Sequence, residues 1–171
     1  VRETYGKDFR ICTVIGFPLG YHTKDIKVRE TLQAIEDGAD EIDTVINIGD
    51  VKNGDFDLVR SELKAIREAV GEKILKVIIE TCYLTEEEKI RLCECVTAAK
   101  ADYIKTSTGF GTGGATAADV RLMKGIVKDH IRVKAAGGIR TLKDTLDMIE
   151  AGADRIGSTA STAIVEEFMR M

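Results

Sequence analysis

Histidine is scarce in this chain, with two residues in 171, and there is one proline and no tryptophan. His22 and His130 stand in polar, loop-like stretches and are not counted as catalytic. Four cysteines (Cys12, Cys82, Cys93, Cys95) show neither a CxxC pair nor zinc-ligand spacing, so no metal centre is expected and the thiols are read as reduced. No apolar run approaches the roughly 18 residues of a membrane span, and no secretory leader is recognised. Charge of one sign is lacking too: the net charge is −4 with both signs interspersed, which argues against a nucleic-acid or membrane surface. What remains is ordinary globular composition, 44% hydrophobic and 32% charged, and residues 1–171 are expected to form one domain in the cytoplasm.

One phrase recurs: "EDGADEI" at 36–42, "AAKADYI" at 98–104 and "EAGADRI" at 150–156. Each time a helical pattern ends, a tight link follows, and Ala-Asp leads into an apolar strand. Six strand candidates follow in order at 11–17, 41–48, 74–81, 102–108, 131–136 and 155–159, short and rich in Val and Ile. Helical patterns lie between them. Thr85 with Glu88 and Thr141 with Asp144 have capping-box spacing. Strands alternating with helices predict parallel pairing, either in a doubly wound sheet or in a closed (β/α)8 barrel. A barrel needs eight units and about 200 residues or more, and only six units are visible.

Charged residues interrupt these strands. Side chains alternate along a strand, so Tyr103, Lys105 and Ser107 share one face, Asp43 shares one with Val45, and Lys76 shares one with Ile78 and Glu80. Lys134 sits likewise in "RVKAAGG". On parallel strands Asp43, Lys76, Lys105 and Lys134 could all meet on one interior face. A structural ion network, with Asp43 and Glu80 neutralising two lysines, is the plain reading of any one of them. Four such positions, two of them followed by glycine-rich turns, favour a functional cluster, because buried charge is costly unless it is used or paired. An ordinary lysine has a pKa near 10.4, and burial beside a second cation disfavours the ammonium form. The adjacent pair Lys105 and Lys134 therefore reads as imine-forming chemistry. Glycine-rich turns at 107–116, 136–141 and 157–162 precede helical patterns and could hold an anion on backbone N–H groups. If the last two strands are the seventh and eighth of a barrel, the candidates are Gly137, Gly138, Gly157 and Ser158.

The stretches "VIGFPLG", "ADEIDTVINIG", "KVIIETCYLT", "DYIKTSTGFGTGGAT", "VKAAGGIRT" and "GADRIGST" together resemble the successive strand motifs of the deoxyribose-phosphate aldolase family, over about Cys12 to Ile164. The resemblance implies a class I aldolase on a (β/α)8 TIM-type barrel, joining acetaldehyde to glyceraldehyde 3-phosphate without a cofactor. It implies Lys105 as the Schiff-base lysine, Lys134 as the lysine that tunes it and Asp43 as the proton-handling carboxylate. Gly109, Gly137, Gly138 and Gly157 with Ser158 and Thr159 would bind the phosphorylated substrate, and Lys76 is a secondary candidate. Phe110 stands where some family members carry a lysine near the phosphate. The chain opens on Val1, and two βα units of the family pattern are expected to lie upstream, leaving a gap in the barrel. Another lysine-dependent phospho-sugar aldolase or transaldolase, or a non-catalytic barrel fragment, are the rival readings. The expected partners are a phosphorylated sugar and an aldehyde, with a homodimer or larger homo-oligomer left open.

Overall fold

The computed structural model describes residues 1–128 and 130–171. Six strands form a single parallel sheet in chain order: β1 (Cys12–Ile15), β2 (Glu41–Val45), β3 (Ile74–Ile78), β4 (Tyr103–Lys105), β5 (Arg132–Ala136) and β6 (Arg155–Gly157). Parallel neighbours need a crossover, and helices supply them. A short α1 (Arg2–Tyr5) precedes β1; α2 (Lys24–Glu36), α3 (Ile48–Lys52), α4 (Phe56–Val70), α5 (Glu86–Ala98), α6 (Ala117–Ile126) and α7 (Leu142–Glu150) lie between strands, and α8 (Ser161–Phe168) follows β6. The strands fall inside the expected segments but are shorter, because the chain leaves the ladder for the loops that carry the site.

Local sequence explains the helices. In α4 the apolar residues Phe56, Val59, Leu63, Ile66 and Val70 recur every three or four positions and all are buried. Both expected capping boxes form: the Thr85 hydroxyl accepts from Glu88 N and Glu88 accepts from Thr85 N at the start of α5, and Thr141 with Asp144 does the same for α7. The recurring phrase also has a physical reason. Asp40, Asp102 and Asp154 each accept, at 2.8 Å, a backbone N–H from the start of the preceding strand, at Ile11, Leu75 and Val133. Each carboxylate also meets a cation, Arg2, Arg67 or Lys124. The residue two places earlier is left-handed each time, at Gly38, Lys100 and Gly152.

The two sheet faces divide by alternation. Ile42, Leu75, Val77, Ile104, Val133 and Ala135 face the helices and belong to the main apolar core. Asp43, Lys76, Lys105 and Lys134 point the other way, into a concave interior. Its curvature is set by contacts that skip strands: Arg155 of β6 reaches Glu41 of β2 at 2.7 Å. Four strand spacings on a flat sheet would separate those strands by about 19 Å, so the sheet must curl. The result is six strands of a barrel wall, with β1 and β6 unpaired on their outer edges among the described residues.

Candidate active site

Sheet register builds the site. One row across the inner face runs Asp43, Lys76, Tyr103, Arg132; the next runs Val45, Ile78, Lys105, Lys134, Arg155. Asp43 stands at the centre, 1% exposed, and its two oxygens have different partners. Oδ2 accepts from Lys105 Nζ at 2.9 Å and from Lys134 Nζ at 3.1 Å. Oδ1 accepts from Lys76 Nζ at 2.6 Å and from the Cys12 thiol at 3.2 Å. The four charged strand residues therefore meet at one carboxylate, on one face.

Their titration follows from this crowding. Burial would raise the Asp43 carboxyl, but the ammonium groups of Lys105, Lys134 and Lys76 outweigh it and hold Asp43 well below the usual carboxylate range. Burial pushes Lys134 down from the ordinary lysine value; the Asp43 charge opposes that and the Lys105 ammonium reinforces it. Lys76 goes the other way, because its hydrogen bonds to Asp43 and Glu41 and the Asp43 charge overcome burial. Burial and the Asp43 charge push the Cys12 thiol up, so it stays protonated and donates.

Lys105 and Lys134 open onto a cavity of about 390 Å³ beyond the C-terminal ends of the strands. Its wall contains Gly109, Gly137, Gly138, Gly157, Ser158 and Thr159, the residues named from the turns and the family resemblance, together with Thr108 and Arg140. Gly137 and Gly138 are left-handed, with φ of +86° and +79°, a conformation that suits glycine. The Gly137 carbonyl accepts from Ala115 N at 3.0 Å, and a methyl group on Gly114 would lie 2.2 Å from that oxygen. The loops after β4 and β5 thus touch backbone to backbone. Ser158 does not offer a free hydroxyl: its Oγ donates to Ile139 O at 2.7 Å and accepts from Ala160 N at 3.0 Å.

Some of the geometry lies outside what the sequence suggested. Glu80 neutralises no lysine. It lies just past β3 in a left-handed conformation, φ 51°, and its carboxylate binds the N–H and hydroxyl of Thr108. The second carboxylate of the lysine cluster is Glu41, which pairs with Lys76 at 2.7 Å and with Arg155. Glu41 lies two residues before Asp43 on the same strand face, a spacing that could have found it. Arg140 supplies a cation at the cavity mouth and was legible only as part of "AGGIRT". Phe110 is 74% exposed and packs edge-on against Phe17 at 5.4 Å.

A parallel barrel wall with a lysine pair at the C-terminal ends of its strands fits a lysine-dependent aldolase. A family model described as DeoC/LacD family aldolase matches residues 1–164. The deoxyribose-phosphate aldolase of Clostridium botulinum (strain Alaska E43 / Type E3) is 56% identical over 166 residues, covering 97% of this chain and 75% of that protein. Among solved structures, the aldolase QR15 superposes with a TM-score of 0.92 at 47% identity, over 98% of this chain and 76% of the other. A deoxyribose phosphate aldolase from Aeropyrum pernix, described as a unique tetramer, does so with a TM-score of 0.83 at 31% identity, over 98% and 70%. The six parallel strands are thus most of a TIM-type barrel wall, and the chain belongs to the DeoC/LacD family of aldolases.

Proposed function

We propose that Lys105, Lys134 and Asp43 carry the aldolase chemistry of this chain, the reversible cleavage of 2-deoxy-D-ribose 5-phosphate to D-glyceraldehyde 3-phosphate and acetaldehyde. The observation that carries this reading is the meeting of Lys105 and Lys134 on a single oxygen of Asp43, at the floor of a glycine-lined cavity. In the synthetic direction the neutral amine of Lys105 adds to the acetaldehyde carbonyl carbon. The resulting carbinolamine loses water to give an iminium, and the positive nitrogen acidifies the adjacent methyl group. Transfer of that proton toward Asp43, through Lys134 and water, leaves an enamine. Its terminal carbon attacks the aldehyde carbon of glyceraldehyde 3-phosphate, the new alkoxide is protonated, and hydrolysis of the imine frees the product and Lys105.

The phosphate belongs at the turns holding Gly138 and Ser158–Thr159, where backbone N–H groups precede α7 and α8. Arg140 adds charge at the mouth, and Gly109, Gly137 and Gly157 keep the approach open. The domain is one barrel, of which residues 1–171 form six βα units; the matched relative is about a third longer than the stretch shared with it. No helix among the described residues is long and apolar enough to cross a membrane, and a phosphorylated metabolite as substrate supports a cytoplasmic enzyme. The tetrameric relative supports a homo-oligomer.

Borohydride trapping tests the assignment. With acetaldehyde present, reduction should leave one stable adduct on Lys105, located by mass spectrometry, and Lys105→Ala should abolish both adduct and turnover. An adduct on Lys134 or Lys76 with Lys105 unlabelled overturns the division of roles.

A further inference from the structure

The carboxylate that serves the lysine pair is itself held from behind. Lys76 is 0% exposed and is separated from the cavity by Asp43, so it meets no substrate. Its Nζ bridges Asp43 Oδ1 at 2.6 Å and Glu41 Oε2 at 2.7 Å. The same Glu41 oxygen takes Arg155 Nη1 at 2.7 Å from the far edge of the sheet. Arg155 in turn lies 4.7 Å over the Tyr103 ring, which fixes its direction. The result is a chain of alternating charge, Arg155–Glu41–Lys76–Asp43, half-buried at Arg155 and buried from Glu41 inward, ending on the oxygen that the reactive lysines do not use.

We propose that Lys76, backed by Glu41 and Arg155, is a positioning residue for the aldolase reaction: it occupies one oxygen of Asp43, turns the other toward Lys105 and Lys134, and sets how much of the Asp43 charge those lysines receive. This rests on the reading of Lys105, Lys134 and Asp43 given above. The argument is geometric and electrostatic. Asp43 Oδ1 and Oδ2 are opposite ends of one planar group, so a clamp on the first fixes the second. Asp43 and Glu41 here face five cationic side chains, Lys76, Lys105, Lys134, Arg155 and, at 3.9 Å, Arg10, so whatever share Lys76 draws from Asp43 is withheld from the pair in front. Glu41 moderates that draw by giving Lys76 a second partner.

The charge-setting role makes two substitutions act in opposite directions. Lys134 faces Asp43 on β2, Lys76 on β3 and Lys105 on β4, with Cys12 on β1 and Arg155 on β6 beside that group. In Lys76→Met, Asp43 turns its whole charge on the front lysines, the Lys134 ammonium form is favoured, and its titration midpoint rises by about one pH unit. In Glu41→Gln, Lys76 keeps Asp43 as its one charged partner, beside the neutral Cys12 thiol at 3.3 Å, the positive excess grows, and the midpoint falls by a similar amount. The midpoint is read from the pH dependence of the Lys134 ¹³Cε resonance in the full chain, and it is independent of turnover. Opposite shifts support the proposal; shifts of the same sign, or no shift in either variant, overturn it. Because either removed charge also acts on Lys134 directly through space, the double variant decides. If Glu41 acts through Lys76, Glu41→Gln gives a much smaller fall on the Lys76→Met background, or on Lys76→Gln should Lys76→Met fail to fold; an equal fall with and without Lys76 overturns the proposal. Loss of the borohydride adduct in the unsubstituted chain would count against the aldolase reading itself and would leave these titrations intact.

Discussion

Asp43 is the residue on which most of the site turns, and its protonation links activity to stability. Its carboxyl is depressed in the folded state. The stabilisation it provides is therefore complete above its unfolded value of about 3.9 and is lost as pH falls toward the lower folded value. Urea unfolding should show stability declining below about pH 4. Asp43→Asn should lose roughly 3 kcal/mol at pH 6, where a buried ion cluster is broken, and a smaller but still substantial amount at pH 3, where the folded carboxyl is still ionised. Equal losses at both pH values would show that Asp43 acts through packing alone. Gly157 offers a second test. A methyl group there would sit 3.0 Å from Ala136 Cβ and 3.3 Å from Lys134 Cε. Gly157→Ala should displace the Lys134 head by a few tenths of an ångström and lower kcat about tenfold, with folding intact by circular dichroism.

At the scale of elements, the loops after β3 and β4 are tied by Glu80. It keeps a strained left-handed backbone so that its carboxylate can hold the Thr108 N–H and hydroxyl, placing the turn that carries Gly109. Glu80→Ala should raise KM for the phosphorylated substrate more than it lowers kcat, as measured in steady-state assays. Thr85→Ala, at the cap of α5 away from the cavity, should cost about 1 kcal/mol in thermal or urea unfolding and leave both kinetic constants unchanged. These elements also show what a sequence reveals. Period-two alternation and capping boxes are local, so six strands, two helix starts and the shared face of Asp43, Lys76, Lys105 and Lys134 could be read directly. Strand ends could not, because where a strand yields to a loop depends on its neighbours. The partners of Glu41 were hidden for the same reason: Arg155 lies 114 residues away, and only the curl of the sheet joins them. Glu80 misled by phase. Two residues beyond Ile78 it would share the lysine face, but the strand has already ended and the backbone has turned.

At the scale of the whole molecule, the outer edges of β1 and β6 carry backbone groups that pair with no other strand among the described residues. Exposed parallel edges invite association. The 171-residue chain should show concentration-dependent self-association in sedimentation velocity; a monomer unchanged across the accessible range would show that the edges are shielded in solution. On the inner face of β1, Val14 and the Cys12 backbone side reach water at the open side of the sheet, while the Cys12 thiol is turned inward against Asp43 and Lys76.

Strand order that repeats chain order has one more result, for the time at which the charges meet. Asp43 is made first, and its cationic partners follow 33, 62 and 91 residues later, on three successive strands. As a chain emerges from synthesis and each βα unit docks on the last, the carboxylate is already in place when every lysine arrives. At no stage does this order bury Lys105 or Lys134 without a counter-ion, and the positive excess that suits chemistry builds up only with the final strands. The cluster that is costly to hold is thus assembled from its least costly end.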